Sequence, residues 1–139
     1  MTRFYDVDDA NEALTEVAPL LATLSDQRAE LIRLRDRVLA MSSPSGVGTT
    51  ETGTTPDDEE ARRIRLRMQG VIDQMQAGVA RIDELGVTLR EIETGLIDFP
   101  ALVNGRQVWL CWRLGEGDVD SWHELSDGFG GRKPLAELS

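Results

Sequence analysis

The chain has 139 residues, 40% of them hydrophobic, which is enough for one modest domain and too little for two. A formal net charge of −10 disfavours nucleic acid and anionic membranes as partners, because both are negatively charged. No apolar run approaches the roughly 20 residues of a membrane span, and the acidic N-terminus is unlike a signal peptide. We therefore expect a single domain over residues 1–139 in the cytoplasm, where one unpaired cysteine fits a reducing environment.

The first predicted element is a helix over residues 6–41. Asp6 is placed as its N-cap, and Tyr5 and Ala10 are placed to form a hydrophobic staple. Apolar residues that recur every three or four positions predict one buried stripe: Leu14, Val17, Leu21, Leu24, Leu31, Leu34, Val38 and Met41. Pro19 lies inside this pattern and removes a hydrogen-bond donor, so we expect it to kink or locally break the helix.

Residues 42–55 are rich in Ser, Thr and Gly and predict a flexible loop. Pro56 begins a second predicted helix over residues 56–85, with Thr55 as its cap and Gly86 as a left-handed residue that ends it. Its apolar stripe has heptad spacing and comprises Ala61, Ile64, Met68, Val71, Met75, Gly78, Ile82 and Leu85. The pattern predicts a long, coiled-coil-like antiparallel hairpin of two helices.

Two helices alone leave part of their apolar stripes exposed to water, so another part of the protein or a second copy must cover them. The narrow stripe, with Gly78 allowing close helix approach, favours a homodimer in which a second copy completes a four-helix bundle. Under this hypothesis Val71→Asp converts a dimer into a monomer or an unfolded chain. The alternative is a monomer whose stripe is covered by its own C-terminal segment.

Residues 86–139 predict a small antiparallel β element packed against the open end of the helices. Alternation over residues 87–91 indicates a short strand, and the GLIDFPAL run is interpreted as an apolar turn punctuated by Gly95 and Pro100. Asn104-Gly105 is a strong turn signal before a strand over residues 107–114. A loop then leads to a return strand over residues 122–125.

This C-terminal segment contains all three tryptophans, the single cysteine and the single histidine of the chain. Alternation in the 107–114 strand puts Val108, Leu110, Trp112 and Leu114 on one face and Trp109, Cys111 and Arg113 on the other. A simple hairpin could bring Arg113 close to His123, and a Gly-rich turn could bring Arg132 to the same rim. The candidate ligand-binding residues are therefore Trp109, Arg113, Trp122, His123 and Arg132.

The same segment contains no recognisable catalytic or metal-binding pattern. Cys111, Asp98, His123, Glu124 and Asp127 supply possible metal ligands, but there is no paired Cys or His, so we predict a structural cysteine with no metal and no cofactor. His123 beside Trp122 is interpreted first as a packed, hydrogen-bonded side chain, although general acid–base chemistry is open to it. No nucleophile elbow precedes Ser126, and the GFGGR run lacks P-loop spacing, so no enzyme is predicted.

Several motifs make the chain resemble a known family. GLIDFPAL, the LCWRLGE run, the Trp122-His123 pair and the GFGGRKPL ending are similar to the uncharacterised prokaryotic domain-of-unknown-function family 2203, and FYDVDDANEALTEVAPLL is similar to its opening helix. The resemblance covers nearly the whole chain except residues 42–55. It implies no established activity, and no catalytic role is transferred from it.

Two functional hypotheses follow. The first is a small cytoplasmic scaffold or interaction protein that self-associates through its helices and presents the C-terminal segment as a recognition surface for a protein partner. The second is a domain that binds a small molecule or anion, with or without enzymatic activity, in which Arg113, His123 and Arg132 converge on a carboxylate or phosphate.

Overall fold

The computed structural model describes residues 3–41 and 56–138, which form two helices followed by an antiparallel sheet. The helices are α1 (Val7–Met41) and α2 (Pro56–Glu84), and neither has the length and apolar character needed to cross a bilayer. The strands are β1 (Thr88–Glu91), β2 (Leu96–Val103), β3 (Arg106–Arg113), β4 (Ser121–His123) and β5 (Lys133–Pro134). The predicted α+β class, a helical hairpin before a β element, is confirmed. The predicted loop over residues 42–55 lies outside the described residues.

The start of α1 follows the sequence closely. The backbone N–H of Asp9 donates to Asp6 Oδ1 at 2.7 Å, which satisfies a helix N-terminal donor and confirms the predicted cap. Tyr5 and Ala10, the residues of the predicted staple, are both buried. Of the two outcomes expected at Pro19, a kink or a local break, the break does not occur, because α1 runs through Pro19 without interruption. Pro19 is exposed, so the carbonyl that loses its helical donor can be hydrated instead.

The two helices pack closely within one chain. A Cβ atom on Gly78 would lie 3.3 Å from Leu24 Cδ2, so the small residue is needed where α2 crosses α1. Ion pairs join the helices along their length, including Arg67 with Glu30 at 2.8 Å. Gly86 has φ +77° and follows the end of α2 as predicted. The close approach that Gly78 permits is therefore used inside the hairpin and gives no separate support for a dimer.

The sheet is a meander in which each strand pairs with the next in sequence. Asn104 and Gly105, with φ of +53° and +78°, form the predicted turn between β2 and β3. The interpretation of the GLIDFPAL run as a turn is wrong, because residues 96–103 form strand β2 between β1 and β3. The Pro100 carbonyl accepts a hydrogen bond from the Tyr5 N–H at 2.7 Å, on the side of β2 away from β3. The missing N–H of Pro100 points to that same side, so no β2–β3 hydrogen bond is lost.

The main core lies between the helices and one face of the sheet. It joins helix residues such as Val17, Leu21 and Ile82 to alternate residues of β2, β3 and β4. The strand residues are Ile97, Phe99, Ala101, Val108, Leu110, Trp112 and Trp122. This arrangement confirms the predicted inward face of β3. The intervening residues point to the opposite side of the sheet, which we call the outer face.

Gly95, at the turn between β1 and β2, supports a specific prediction about stability. It has φ +69°, and a Cβ atom there would lie 2.6 Å from Leu114 Cβ. We expect Gly95→Ala to lower the free energy of unfolding by about 3 kcal/mol, through backbone strain and steric overlap together. Gly105→Ala is the matched control, since Gly105 has φ +78° but no atom of the described residues within 4 Å of its Cβ position, and should cost only about 1 kcal/mol. Equal losses in urea unfolding would contradict this account.

Candidate functional site

The outer face of the sheet carries a cavity of about 360 Å³. Strands β1 to β4 supply its floor, and the segment over residues 125–129 forms a wall. The lining residues are Arg90, Leu96, Asp98, Cys111, His123, Leu125, Ser126, Asp127, Gly128 and Phe129. The cavity lies on the side of the sheet opposite the main core, so these polar side chains are not needed to fill the space between helices and sheet.

Three neighbouring strands place Asp98, Cys111 and His123 together at the floor of this cavity. Asp98 of β2 is directly opposite Cys111 of β3, and His123 of β4 is opposite Trp109, two residues before Cys111 on the same face. All three side chains are buried, with relative exposures of 2%, 1% and 2%. One carboxylate oxygen, the thiol sulfur and one ring nitrogen lie within 4.8 Å of one another. We call these three residues the Asp–Cys–His cluster.

The ring of His123 is held at both nitrogens. Nδ1 is 2.8 Å from the backbone carbonyl oxygen of Glu124, and Nε2 is 3.0 Å from Asp98 Oδ1. A carbonyl oxygen can only accept a hydrogen bond, so Nδ1 must carry a proton. In the neutral ring Nε2 then presents a lone pair to the carboxyl group. The short contact therefore requires a proton or another cation between Nε2 and Asp98.

The second carboxylate oxygen of Asp98 is bound by Arg90. Arg90 Nε donates to Asp98 Oδ2 at 2.8 Å, and its guanidinium carbon lies 4.9 Å from the ring centroid of Trp109. Asp98 is buried, whereas the side chain of Arg90 is 41% exposed. The arginine therefore connects the buried carboxylate to the cavity mouth and neutralises its charge.

Cys111 is a poor nucleophile in this environment. The pKa of the Cys111 thiol is raised from 9.0 to about 12, mainly by burial and also by the negative charge of Asp98, whose effect exceeds the opposite effect of the nearby Arg132. The thiolate is the reactive form of cysteine, so the folded protein keeps Cys111 as an unreactive thiol near neutral pH. No covalent chemistry at this sulfur is indicated by its surroundings.

We expect the folded protein to resist alkylation of Cys111. At pH 8 the shift of the pKa from 9.0 to about 12 lowers the thiolate fraction about a thousandfold, so iodoacetamide should react at least that much more slowly than in urea. The unfolded chain releases this proton from about pH 9 and the folded chain retains it to about pH 12, so stability should fall as pH rises through that window. Equal alkylation rates, measured by mass spectrometry, would contradict the burial of the thiol.

The five ligand-binding residues predicted from sequence lie at four separate places. His123 alone lines the cavity, where it pairs with Asp98 instead of Arg113. Arg113 and Arg132 meet at Phe129, with guanidinium carbons 5.0 Å and 4.2 Å from its ring centroid.

Arg132 is neutralised by Glu116, whose carboxylate is 2.7 Å away. Glu116 also accepts a hydrogen bond from the Arg113 backbone N–H.

The two tryptophans among these residues take different positions. Trp109 is partly buried on the outer face beneath Arg90. Trp122 is 4% exposed in the main core, and its indole N–H donates to the Pro134 carbonyl at 3.1 Å. Trp112 is likewise buried and donates to the Gly117 carbonyl at 2.8 Å. The polar edges of Trp112 and Trp122 are therefore satisfied by the backbone, as is common for buried tryptophans.

The sequence did not assign Arg90, Leu125 or Phe129 to a site. It offered Asp98 only as a possible metal ligand, and no metal was predicted. One sequence signal for Asp98 exists: it is a lone acid inside the apolar run LIDFPAL, and an acid buried among apolar residues needs a partner. The partners come from other strands, at distances along the chain that no local motif describes.

The fold and site together define a two-layer α+β protein, with a helical hairpin on one side of a sheet and a polar-floored cavity on the other. The chain belongs to the family described as "Uncharacterized conserved protein (DUF2203)", whose model matches residues 3–135. Searches of curated proteins and of solved structures find no match to this chain.

Proposed function

We propose that the outer-face cavity binds a small organic molecule that has an apolar body and a hydrogen-bonding head group. The observation that carries this proposal is the buried Asp98–His123 pair at the floor of a cavity whose walls include Leu96, Leu125 and Phe129. A volume of about 360 Å³ falls within the usual range for small-molecule sites. A few fixed polar groups among apolar walls are also what such sites typically contain.

The charges around the cavity favour a neutral or singly charged ligand. Asp98 neutralises Arg90, and Glu116 neutralises Arg132. Recognition of a phosphate through Arg113, His123 and Arg132 would therefore depend on the charge of Arg113. A head group that accepts hydrogen bonds, such as an amide or a carboxylic acid, better matches the partly exposed guanidinium of Arg90, because His123 and Asp98 bind each other.

Binding is tested with a library of small amides, carboxylic acids and alcohols, followed by two-dimensional NMR of the labelled protein. Gly128→Trp is designed to fill the cavity, because Gly128 lines it and a Cβ atom there would have no atom of the described residues within 4 Å. Gly130→Trp is the matched control, equally open but outside the lining. We expect the first variant to weaken binding at least about tenfold and the second to leave it unchanged. Absence of binders, or equal binding by both variants, would overturn the proposal.

Self-association is a second candidate function, favoured by a mostly apolar groove beside α2. Its lining residues are Leu31, Ile72, Met75, Gln76, Val79, Ala80 and Asp83, and we call it the α2 groove. Positions 72, 76, 79 and 83 step by four, three and four, so they form a second stripe beside the one that packs on α1. That spacing suits another helix lying along α2.

We place a second copy of the chain in this groove. A two-fold axis would bring the same stripe of both copies together, with Ile72 and Val79 of one copy facing Val79 and Ile72 of the other in antiparallel α2 helices. The resulting four-helix bundle would be a homodimer through a different stripe of α2 from the Gly78 stripe predicted from the sequence, and it would leave the cavity free to act as a recognition surface. A coiled-coil scaffold role for the protein rests on this assembly.

Sedimentation of wild type and variants tests the homodimer. Ile72→Glu combined with Ala80→Glu should yield a monomer whose far-ultraviolet circular dichroism is unchanged, because Ile72 is only partly buried and Ala80 is exposed. Leu66→Glu is the control on the same helix, since Leu66 is 67% exposed and outside the groove. A wild-type chain that sediments as a monomer at its highest attainable concentration would refute self-association.

A cytoplasmic location is proposed on the chemistry of Cys111. The structure holds it as a buried free thiol in a chain with one cysteine, which suits a reducing compartment. Subcellular fractionation with an antibody to the native protein tests this, and recovery in an oxidising compartment would contradict it.

A further inference from the structure

The Asp–Cys–His cluster combines three different metal-binding groups on one face of a sheet. We propose that Asp98, Cys111 and His123 together bind one divalent transition-metal ion, with Zn²⁺ the best match to the donor set, at the floor of the outer-face cavity. This inference deepens the proposed ligand-binding function, because the metal would become part of the same site. Metal uptake and small-molecule binding are measured separately, so either can fail alone.

The spacing of the donor atoms is close to what zinc requires. Bond lengths of about 2.0–2.3 Å in a tetrahedral site put ligand atoms about 3.3–3.8 Å apart. The three donors of the cluster lie within 4.8 Å of one another, and His123 Nε2 and Asp98 Oδ1 are 3.0 Å apart. Side-chain adjustments of about an ångström would therefore complete the geometry without moving the strands.

The protonation of His123 also favours a cation at this place. Its Nδ1 donates to the Glu124 carbonyl at 2.8 Å, which leaves Nε2 as the free lone pair. A ring nitrogen held by a backbone carbonyl while the other nitrogen faces the metal is the usual arrangement of metal-binding histidines. Here Nε2 already faces a carboxylate oxygen, and a metal ion between them would bind both lone pairs.

The surroundings supply the other features expected of a metal site. Arg90 holds the second oxygen of Asp98 at 2.8 Å and so orients the carboxylate. One carboxylate and one thiolate would offset the two positive charges of the ion, with the histidine neutral, and Arg90 would leave a net charge of +1 that suits an anionic fourth ligand. Binding releases the thiol proton to solvent. Sulfur, nitrogen and oxygen donors in one set match zinc better than magnesium or calcium, which prefer oxygen alone.

The fourth coordination position would face the cavity. Within the described part of the chain three protein donors converge, a number typical of zinc sites that keep one position open for water or a ligand. The cavity provides an entry path for the ion and the space for that ligand. A carboxylate or similar metal-binding head group, with its body against Leu125 and Phe129, is the ligand class this arrangement selects.

Cobalt is the probe that tests the site, because Co²⁺ substitutes for Zn²⁺ and reports on sulfur ligation. Chelator-treated, reduced full-length protein is titrated with Co²⁺ and its absorption spectrum is recorded. We expect saturation at one equivalent, with a thiolate-to-cobalt charge-transfer band in the near ultraviolet and visible bands of a tetrahedral ion. The chain has one cysteine, so such a band can come only from Cys111. Added Zn²⁺ should abolish both sets of bands.

The chain has 25 acidic residues, and surface carboxylates also bind cations weakly. Variants therefore distinguish Co²⁺ bound at the Asp–Cys–His cluster from Co²⁺ bound elsewhere. Cys111→Ser should abolish the charge-transfer band and weaken Co²⁺ binding at least about 100-fold, while circular dichroism shows that the fold is kept. Arg90→Gln should weaken it about tenfold, as loss of an orienting partner does. Asp118→Asn, an exposed acid outside the cluster, should bind as wild type does.

Two results would overturn the metal site: no charge-transfer band at stoichiometric Co²⁺, or Co²⁺ binding that survives Cys111→Ser. The first result would mean that a proton, not a metal ion, lies between His123 and Asp98, and the second would mean that the ion binds without the Cys111 thiolate. Gly128→Trp distinguishes the two proposals, since it should block small-molecule binding without removing the cobalt charge-transfer band. Loss of the metal site with retained ligand binding would leave the proposed function standing.

Discussion

Val71→Asp is expected to unfold the helical hairpin and to lower the free energy of unfolding by about 4 kcal/mol or more. Val71 has 0% exposure and lies two helical turns before Gly78, which packs against Leu24 of α1. A carboxylate at this place would be buried among side chains that pack as apolar core. Urea unfolding followed by circular dichroism measures the loss.

Ile72→Asp is the matched control, one residue further along α2. Ile72 is only partly buried and lines the α2 groove, so the new charge can reach solvent when the groove is open. We expect a cost of about 1 kcal/mol or less in the monomer. If Val71→Asp were as stable as Ile72→Asp, the two helices would not pack as described. The structure also shows why Val71→Asp alone is a poor test of dimerisation: Val71 lies within the hairpin of one chain.

The second large effect is expected from Asp98→Ala, which removes the shared partner of His123 and Arg90. His123 is 2% exposed, so its ring nitrogen would lose its partner with little access to water. We expect the free energy of unfolding to fall by about 3 kcal/mol, as is usual when one member of a buried pair is removed. Thermal or urea unfolding in the presence of a chelator measures this effect without a contribution from bound metal.

Asp98→Asn is the control for that prediction. The amide oxygen can accept the hydrogen bond from Arg90, and the amide NH₂ can donate to the free lone pair of His123 Nε2. Both hydrogen bonds survive in this arrangement, so the expected cost is only about 1 kcal/mol. If Asp98→Asn destabilised the protein as much as Asp98→Ala, Nε2 of His123 would carry a proton and would not present a free lone pair.

Local signals make the helices and turns predictable. Asp6 caps α1 through its own side chain, Gly86 ends α2 because it accepts a positive φ, and Asn104-Gly105 takes the turn geometry that few other pairs tolerate. The exception is strand β2. Gly95 and Pro100 both have the character of turn residues, yet Gly95 lies in the preceding turn and Pro100 lies in the strand with its missing N–H away from β3.

The sequence by itself determined the α+β class, the helical hairpin and the inward face of β3. It also determined which residues cap α1, end α2 and form the turn between β2 and β3. Each of these features depends on neighbours within a few positions along the chain. Only the tertiary structure decided that Asp98, Cys111 and His123 meet, because strand order and register bring together residues 13 and 12 positions apart. It also decided that His123 pairs with Asp98, while Arg113 and Arg132 both lie against Phe129 and Arg132 binds Glu116. Contacts between strands are set by packing of the whole sheet, and no spacing rule along the chain describes them.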